Sequence, residues 1–81
     1  MRVLYFAWMR DRIGVAEEVV ETSAETAREL VGELSARSEG HEAAFEKLDA
    51  VRVAVDQQMM DLDAPIAGAS EVAFFPPVTG G

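Results

Sequence analysis

Apolar side chains run unbroken from Val3 to Met9, and both alternating sets between Arg2 and Trp8 are apolar. Val3, Tyr5 and Ala7 fall on one side, and Leu4, Phe6 and Trp8 on the other. That pattern predicts an opening strand covered on both faces, within the domain or by a partner. Met9 to Gly14 reads as a polar connection with a glycine suited to a turn. Val15 to Glu21 predicts a second strand, and its Glu17, Glu18 and Glu21 suit a sheet edge. Thr22-Ser23-Ala24-Glu25 matches a capping box, in which hydroxyl and carboxylate satisfy first-turn N–H groups reciprocally. From there Ala27, Leu30, Val31 and Leu34 recur on one helical face. Glu25, Arg28, Glu29 and Glu33 fall on the wet face, and the helix should end near Ser38 to Gly40. His41 to Asp49 gives a shorter helical pattern through Ala44, Phe45 and Leu48. Val51, Val53 and Val55 then alternate with Arg52, Ala54 and Asp56, as in a half-buried strand. Asp56-Gln57-Gln58 can turn, Met59 to Leu62 can return as a short strand, and Asp63 to Ser70 reads as loop with Pro65 and Gly68. Glu71 to Phe75 is the last strand.

Strands placed around one main helix imply an α+β domain, a mixed sheet packed on that helix. The β-grasp, or ubiquitin-like, fold has this order. It assigns residues 1–75 to the domain and 76–81 to an extended C-terminal tail. Within the last strand, Val72 and Phe74 are expected toward the helix-covered core. Phe75 is expected on an exposed patch beside the tail.

The 81 residues allow one domain, and without cysteine neither a disulfide nor a thiolate metal site can staple it. The formal net charge of −8 disfavours nucleic acid and anionic membrane surfaces as partners. A partner protein with a basic face suits such a surface. The apolar N-terminus lacks a small-residue cleavage site and runs into Arg10-Asp11-Arg12, and no run approaches membrane-span length. A cytoplasmic location is expected.

No catalytic or metal site is expected within the domain. His41 is the only histidine, placed at a polar helix start where a solvated ring is the ordinary outcome, and nothing is present to complete a metal site with it. Ser23, Ser35, Ser38 and Ser70 have no evident base. Asp61-Leu62-Asp63 lacks the glycine and terminal glutamate of a calcium loop. Met59-Met60 reads as core filling.

The tail is where chemistry can be placed. Pro76 and Pro77 donate no N–H, so ladder pairing stops there, and their fixed φ favours a stiff, extended exit. From Pro76 to Gly81 the chain can reach roughly 20 Å. Gly80 and Gly81 carry no Cβ, so the tip fits a channel too narrow for ordinary side chains. It presents one group, the α-carboxylate. Adenylation would turn that carboxylate into an acyl donor, and a sulfur nucleophile could then make a thiocarboxylate. With no cysteine, the terminus is the only evident place to load transferable sulfur.

The stretch Glu71-Val72-Ala73-Phe74-Phe75-Pro76-Pro77-Val78-Thr79-Gly80-Gly81 resembles the tail of the MoaD family, the small subunit of molybdopterin synthase. Val3-Leu4-Tyr5-Phe6-Ala7, Val51-Arg52-Val53-Ala54-Val55 and Asp61-Leu62-Asp63-Ala64-Pro65-Ile66 resemble it too, so the likeness spans essentially the whole chain. Two turns depart from the family pattern: Asp56 stands where Asn is common, and Ala69-Ser70 replaces Gly-Asp. The resemblance implies a sulfur carrier with no permanently bound cofactor. A ubiquitin-activating-type adenylyltransferase would use ATP to adenylate Gly81, and sulfur from a desulfurase persulfide would convert it to the thiocarboxylate. The loaded tail would enter the large catalytic subunit and give its sulfur to cyclic pyranopterin monophosphate. Two transfers would build the dithiolene, in an assembly of two large and two small subunits. Gly81 would carry the sulfur, Gly80 and Thr79 would pass the channel, and Phe75, Pro76, Pro77 and Val78 would meet the partner. Two neighbouring readings are a thiamine-pathway sulfur carrier and a ubiquitin-like modifier. A reading of a different class is a passive β-grasp binding module, for which the two terminal glycines would be dispensable.

Overall fold

A computed structural model of the chain describes residues 1–77. The strands are β1 (Arg2–Tyr5), β2 (Glu17–Val19), β3 (Arg52–Val55), β4 (Gln58–Met60) and β5 (Glu71–Phe75). The helices are α1 (Ala7–Ile13), α2 (Ala27–Ser35) and α3 (Glu39–Ala44), followed by a 3₁₀ turn over Leu48–Ala50. The five strands form one mixed sheet in the order β2-β1-β5-β3-β4. β1 and β5 are parallel at its centre, with Tyr5 opposite Phe74, and the other pairs are antiparallel. This is the β-grasp arrangement expected from the sequence.

Alternation divides the sheet into two faces. Val3, Tyr5, Val53, Val72 and Phe74 point inward and are buried, and Ala27, Leu30, Val31 and Leu34 of α2 close over them. Truncating one of those leucines to alanine would cost about 2–5 kcal/mol. The core includes an aromatic group: Phe74 meets Phe45 edge-on at 5.0 Å and stacks with Tyr5 at 6.4 Å. Such geometry adds stability beyond the area buried.

Several local expectations are corrected. The first strand stops at Tyr5, not Trp8: the backbone turns at Ala7 (φ 54°) and continues as α1. Met9 to Gly14 is therefore helix rather than polar connection, with Met9 fully buried and Gly14 capping the end at φ 99°. Leu4, Phe6 and Trp8 do not share a sheet face, because Trp8 sits on α1 with the Arg12 guanidinium 5.0 Å from its ring centre.

The main helix begins at Ala27, capped by Thr26 rather than Thr22, and ends at Ser35 before the expected Ser38 to Gly40. Thr26 Oγ1 accepts the Glu29 N–H at 3.2 Å. The N–H groups of Ala27 and Arg28 are taken by the carbonyls of Ala64 and Leu62, which ties the helix start to the following loop. The second helical segment is α3 plus a separate 3₁₀ turn, beginning at Glu39 instead of His41. β4 runs from Gln58 to Met60, one residue earlier than expected and two shorter at its end. Met59 and Met60 are 64% and 39% exposed on this edge strand, not core filling.

Candidate functional site

β5 is the element that carries the tail, and its surroundings fix how the tail leaves. The strand lies between β1 and β3, so its backbone is bonded on both sides, and the Phe6 N–H donates to the Phe74 carbonyl at 3.2 Å. Pairing ends at Phe75, opposite Arg52, and Pro76 and Pro77 follow as non-strand residues, both half-buried. Proline supplies no ladder donor, so the strand stops where the sequence places the stop. The tail is thus rooted in the most firmly held strand of the sheet. Val78, Thr79, Gly80 and Gly81 lie outside the described residues.

The outer face of the sheet carries the apolar surface nearest that root. Leu4, Ala73, Ala54 and Met59 stand in one cross-strand row, because Leu4 pairs with Ala73, Ala73 with Ala54 and Ala54 with Met59. At the tail end of this row Phe75 and the exposed Phe6 join Ala54 and Ala73 around an open depression of about 420 Å³, with Gln57 and Glu71 at its rim. Val72 and Phe74 are fully buried beneath α2 while Phe75 is half-exposed on this outer face, as the strand alternation requires. No helix among the described residues covers the depression, and a contiguous apolar surface left in water is the usual mark of a docking site. A larger depression, about 560 Å³, lies away from it among Arg28, Leu48, Val53, Met60, Leu62 and neighbouring acids. Its Arg28 is already held by Asp63 at 2.8 Å.

Asp56 departs from the family pattern, and the structure shows what it does. With Gln57 it forms the β3–β4 turn at positive φ (48° and 71°), a conformation aspartate tolerates better than most residues. Its carboxylate accepts the N–H groups of Ser70 (2.9 Å) and Glu71 (3.0 Å). The turn is thereby tied to the start of β5, with Ser70 supplying one of the two donors.

His41 is not the solvated ring its polar sequence neighbours suggest. It is 6% exposed and links three elements: Ser38 Oγ lies 2.7 Å from Nδ1, and Glu18 Oε2 lies 2.5 Å from Nε2. The Tyr5 hydroxyl donates to the same Glu18 oxygen at 2.6 Å. Both ring nitrogens therefore have hydrogen-bond partners, Ser38 Oγ at Nδ1 and the Glu18 carboxylate at Nε2. Partial burial pushes the Glu18 carboxyl upward, but bonds from His41 and Tyr5 and the nearby Arg37 charge outweigh it and hold the group below the ordinary range. Burial, then the bond to Glu18, raises the Tyr5 phenol far above its usual value. Although serine, histidine and glutamate stand in line, Ser38 is committed to capping α3 through the His41 N–H. Neither Ser38 nor His41 lines any of the depressions beside the sheet. The network fastens β2 to α3. Sequence offered only one signal for it, the three-residue spacing of Ser38 and His41. Glu18 is 23 positions away. Among the described residues no group of three or more His, Asp and Glu is placed to hold a metal, and no helix is long and apolar enough to cross a membrane.

Residues 3–81 match the ThiS family model. The chain is 37% identical over 81 residues to the molybdopterin synthase sulfur carrier subunit of Haemophilus influenzae, covering 100% of this chain and 99% of that one. It is 36% identical over the same span, with the same coverage, to the subunit of that name from Escherichia coli. Among solved structures, SAMP1 from Haloferax volcanii superposes with a TM-score of 0.73 at 24% identity, over 100% of this chain and 98% of the other, which shows the fold. A Pyrococcus furiosus protein assigned as molybdopterin converting factor, subunit 1, superposes at 0.71 with 29% identity, over 95% of each chain.

Proposed function

Because this chain belongs to the ThiS family, we propose that it is the sulfur-carrying small subunit of a molybdopterin synthase, working through the carboxylate of Gly81. The observation that carries the reading is the join of a central, doubly paired β5 to Pro76-Pro77 and a terminal Gly80-Gly81. A tail so rooted can be pushed into a partner without loosening the fold.

The chemistry follows from the carboxylate. A ubiquitin-activating-type adenylyltransferase lets a Gly81 oxygen attack the α-phosphorus of ATP, which forms the acyl-adenylate and releases pyrophosphate. A persulfide sulfur supplied by a desulfurase system attacks the carbonyl carbon and displaces AMP. A thiol of the sulfur-donating system then attacks the outer sulfur of the resulting acyl disulfide, is itself oxidised to a disulfide with it, and releases the thiocarboxylate. In the large subunit that sulfur attacks cyclic pyranopterin monophosphate to form a thioester, and water hydrolyses the thioester, leaving sulfur on the pterin and the carrier as carboxylate. Gly80 and Thr79 thread the channel, while Phe75, Pro76, Pro77 and Val78 hold the tail root against the partner. The domain itself holds no cofactor and performs no catalysis. Two carriers on two large subunits, in the cytoplasm, complete the picture.

Intact-mass measurement of the chain purified from its native host tests the reading. Replacement of one oxygen by one sulfur at Gly81 is the expected result. An extended chain with one alanine after Gly81 should fold normally and never acquire sulfur. Normal molybdopterin synthesis by that extended chain in a purified reconstitution would overturn the mechanism.

A further inference from the structure

The strand register lays out the whole outer face of the sheet. Arg2 and Leu4 of β1 stand beside Val19 and Glu17 of β2 on one side, and beside Glu71 and Ala73 of β5 on the other. Ala73 and Phe75 in turn stand beside Ala54 and Arg52 of β3, and Ala54 beside Met59 of β4. Of the five large apolar side chains left exposed among the described residues, three fall on this face: Val19, Phe6 and Met59, at 76%, 46% and 64%. The apolar exposure is thus gathered on one side of the molecule. At its centre Ala54 and Ala73 carry nothing beyond Cβ, so a second sheet can approach closely.

The two ends of this face are complementary in charge. Arg52 and Asp56 lie two residues to either side of Ala54. Asp56 borders a depression of about 190 Å³ with Arg2 and Glu71, at the end of the face away from the tail. Its Oδ1 accepts the N–H groups of both Ser70 and Glu71, which leaves Oδ2 open to a further donor. Arg52 lies at the tail end, opposite Phe75. Only its Nη1 is engaged, by the carbonyls of Asp49 and Val51 at 3.0 and 3.2 Å. Arg52 also borders the larger depression with Asp49, Asp61 and Asp63, yet no carboxylate among the described residues lies within ion-pair distance of it.

We infer that two copies of the free chain pack outer face to outer face, about a two-fold axis that passes Ala54 and crosses the strands. Such an axis sets the tail end of one copy over the opposite end of the other. Arg52 of each copy then meets Asp56 of the other, while Leu4, Ala73, Ala54 and Met59 lie along the contact. The alternative alignment, with both tail ends together, would crowd Glu71 and Asp56 of both copies at one end. Five strands about 4.8 Å apart and about 16 Å long give a face of roughly 24 by 16 Å, so the pair removes on the order of 1,000 Å² from water. That is the size of a weak, reversible contact. Each copy carries a net charge of −8, but at physiological salt the Debye length is about 8 Å, so most of that repulsion is screened while the direct contact is not. The dimer stands on the face alone. Only its consequence, that the large subunit must displace a second copy to reach Phe75, rests on the carrier reading above.

Sedimentation equilibrium of the full chain at physiological ionic strength, from about 10 µM to about 1 mM, should show a reversible monomer–dimer equilibrium with Kd on the order of 100 µM. Ala54→Lys sets two like charges on the axis and should leave only monomer, with thermal melting matched to wild type. Arg52→Glu, on the exposed rim, probes the same contact without touching the centre. It should loosen the dimer about tenfold, because the new carboxylate faces Asp56 of the other copy. Adding Asp56→Asn, which keeps the acceptor for Ser70 and Glu71, should recover most of that loss. A wild-type chain that stays monomeric across the range would overturn the dimer and leave the face to the large subunit alone. Unchanged association of Arg52→Glu, or of an Ala54→Lys chain that melts like wild type, would also overturn it, because the contact would then lie elsewhere. Sulfur at Gly81 is read independently by intact mass, so none of these results touches the carrier reading.

Discussion

The Nε2 atom of buried His41 lies 2.5 Å from Oε2 of Glu18, joining a helix to an edge strand that is only three residues long. Glu18 also takes the Tyr5 hydroxyl and lies 3.6 Å from Arg37, and beyond these the edge strand has its ladder to β1 and the exposed Arg2–Glu17 pair, a type worth little in water.

Glu18→Ala should therefore destabilise the fold by about 2 kcal/mol at neutral pH, since it strips the Tyr5 hydroxyl and the His41 ring of a shared partner. The pH dependence has a definite sign. The folded-state pKa of Glu18 is depressed, so its contribution is complete above the unfolded carboxylate value and fades as pH falls through the lower folded one. Denaturant melts of wild type and Glu18→Ala should thus draw together as pH falls below the ordinary glutamate value of about 4.3. A constant gap down to acid pH would show that packing, not ionisation, sets the difference.

Thr26 and Thr22 offer a paired comparison. Thr26→Ala removes the acceptor for the Glu29 N–H and should cost about 1 kcal/mol. Thr22 Oγ1 donates to exposed Glu33 and accepts the Ala24 N–H, so Thr22→Ala should stay within about 0.5 kcal/mol. Equal losses in parallel urea titrations would contradict the assigned helix start.

Gly40 marks where α3 meets α1. A Cβ there would run into the Arg12 carbonyl, which belongs to backbone and cannot swing aside. Gly40→Ala should lower stability by about 1–3 kcal/mol, the scale of overpacking. The reporter is Trp8 fluorescence, because Trp8 and Arg12 share α1 and the cleft it borders. An unshifted melting temperature with unchanged emission would mean that the helices stand farther apart.

Phe75→Ala tests the proposed partner surface. The ring is half-exposed on the outer sheet face beside Phe6, so folding stability should fall by only about 0.5 kcal/mol. Affinity for the large subunit should drop by about 2 kcal/mol or more, the scale of a hot spot. Calorimetric titration and a melt of the same variant read the two quantities separately. A large stability loss at constant affinity would place Phe75 in the core.

The legible parts of this fold are those where one local period dominates. Alternation at Val51 and Val53, and at Val72 and Phe74, located β3 and β5, and the spacing of Ala27, Leu30, Val31 and Leu34 located the covering helix. The stretch from Val3 to Met9 failed for a physical reason: apolar residues continue through a change of element, and the break at Ala7 is a backbone event with no glycine to announce it. The i, i+4 spacing of Met9 and Ile13, with Gly14 after them, was the available helical signal. Thr22 and Thr26 both begin a T-x-x-E motif, and the choice between them is made by the distant carbonyls of Leu62 and Ala64. His41 was misread because its burial is decided by Tyr5 and Glu18, residues of other elements. The end of β5 was legible because Pro76 and Pro77 supply no ladder donor, a property of the residues themselves.

The position of β5 between β1 and β3 has a consequence for incomplete chains. A polypeptide that stops before residue 71 holds two strand pairs, β2 with β1 and β3 with β4, and nothing to bridge them. Its inward residues would have no common core, so it would remain unfolded and open to proteolysis. The sheet therefore acts as a length check on its own synthesis product. Any molecule that folds has already been made through Phe75, the residue that completes the pairing of β5 with β3.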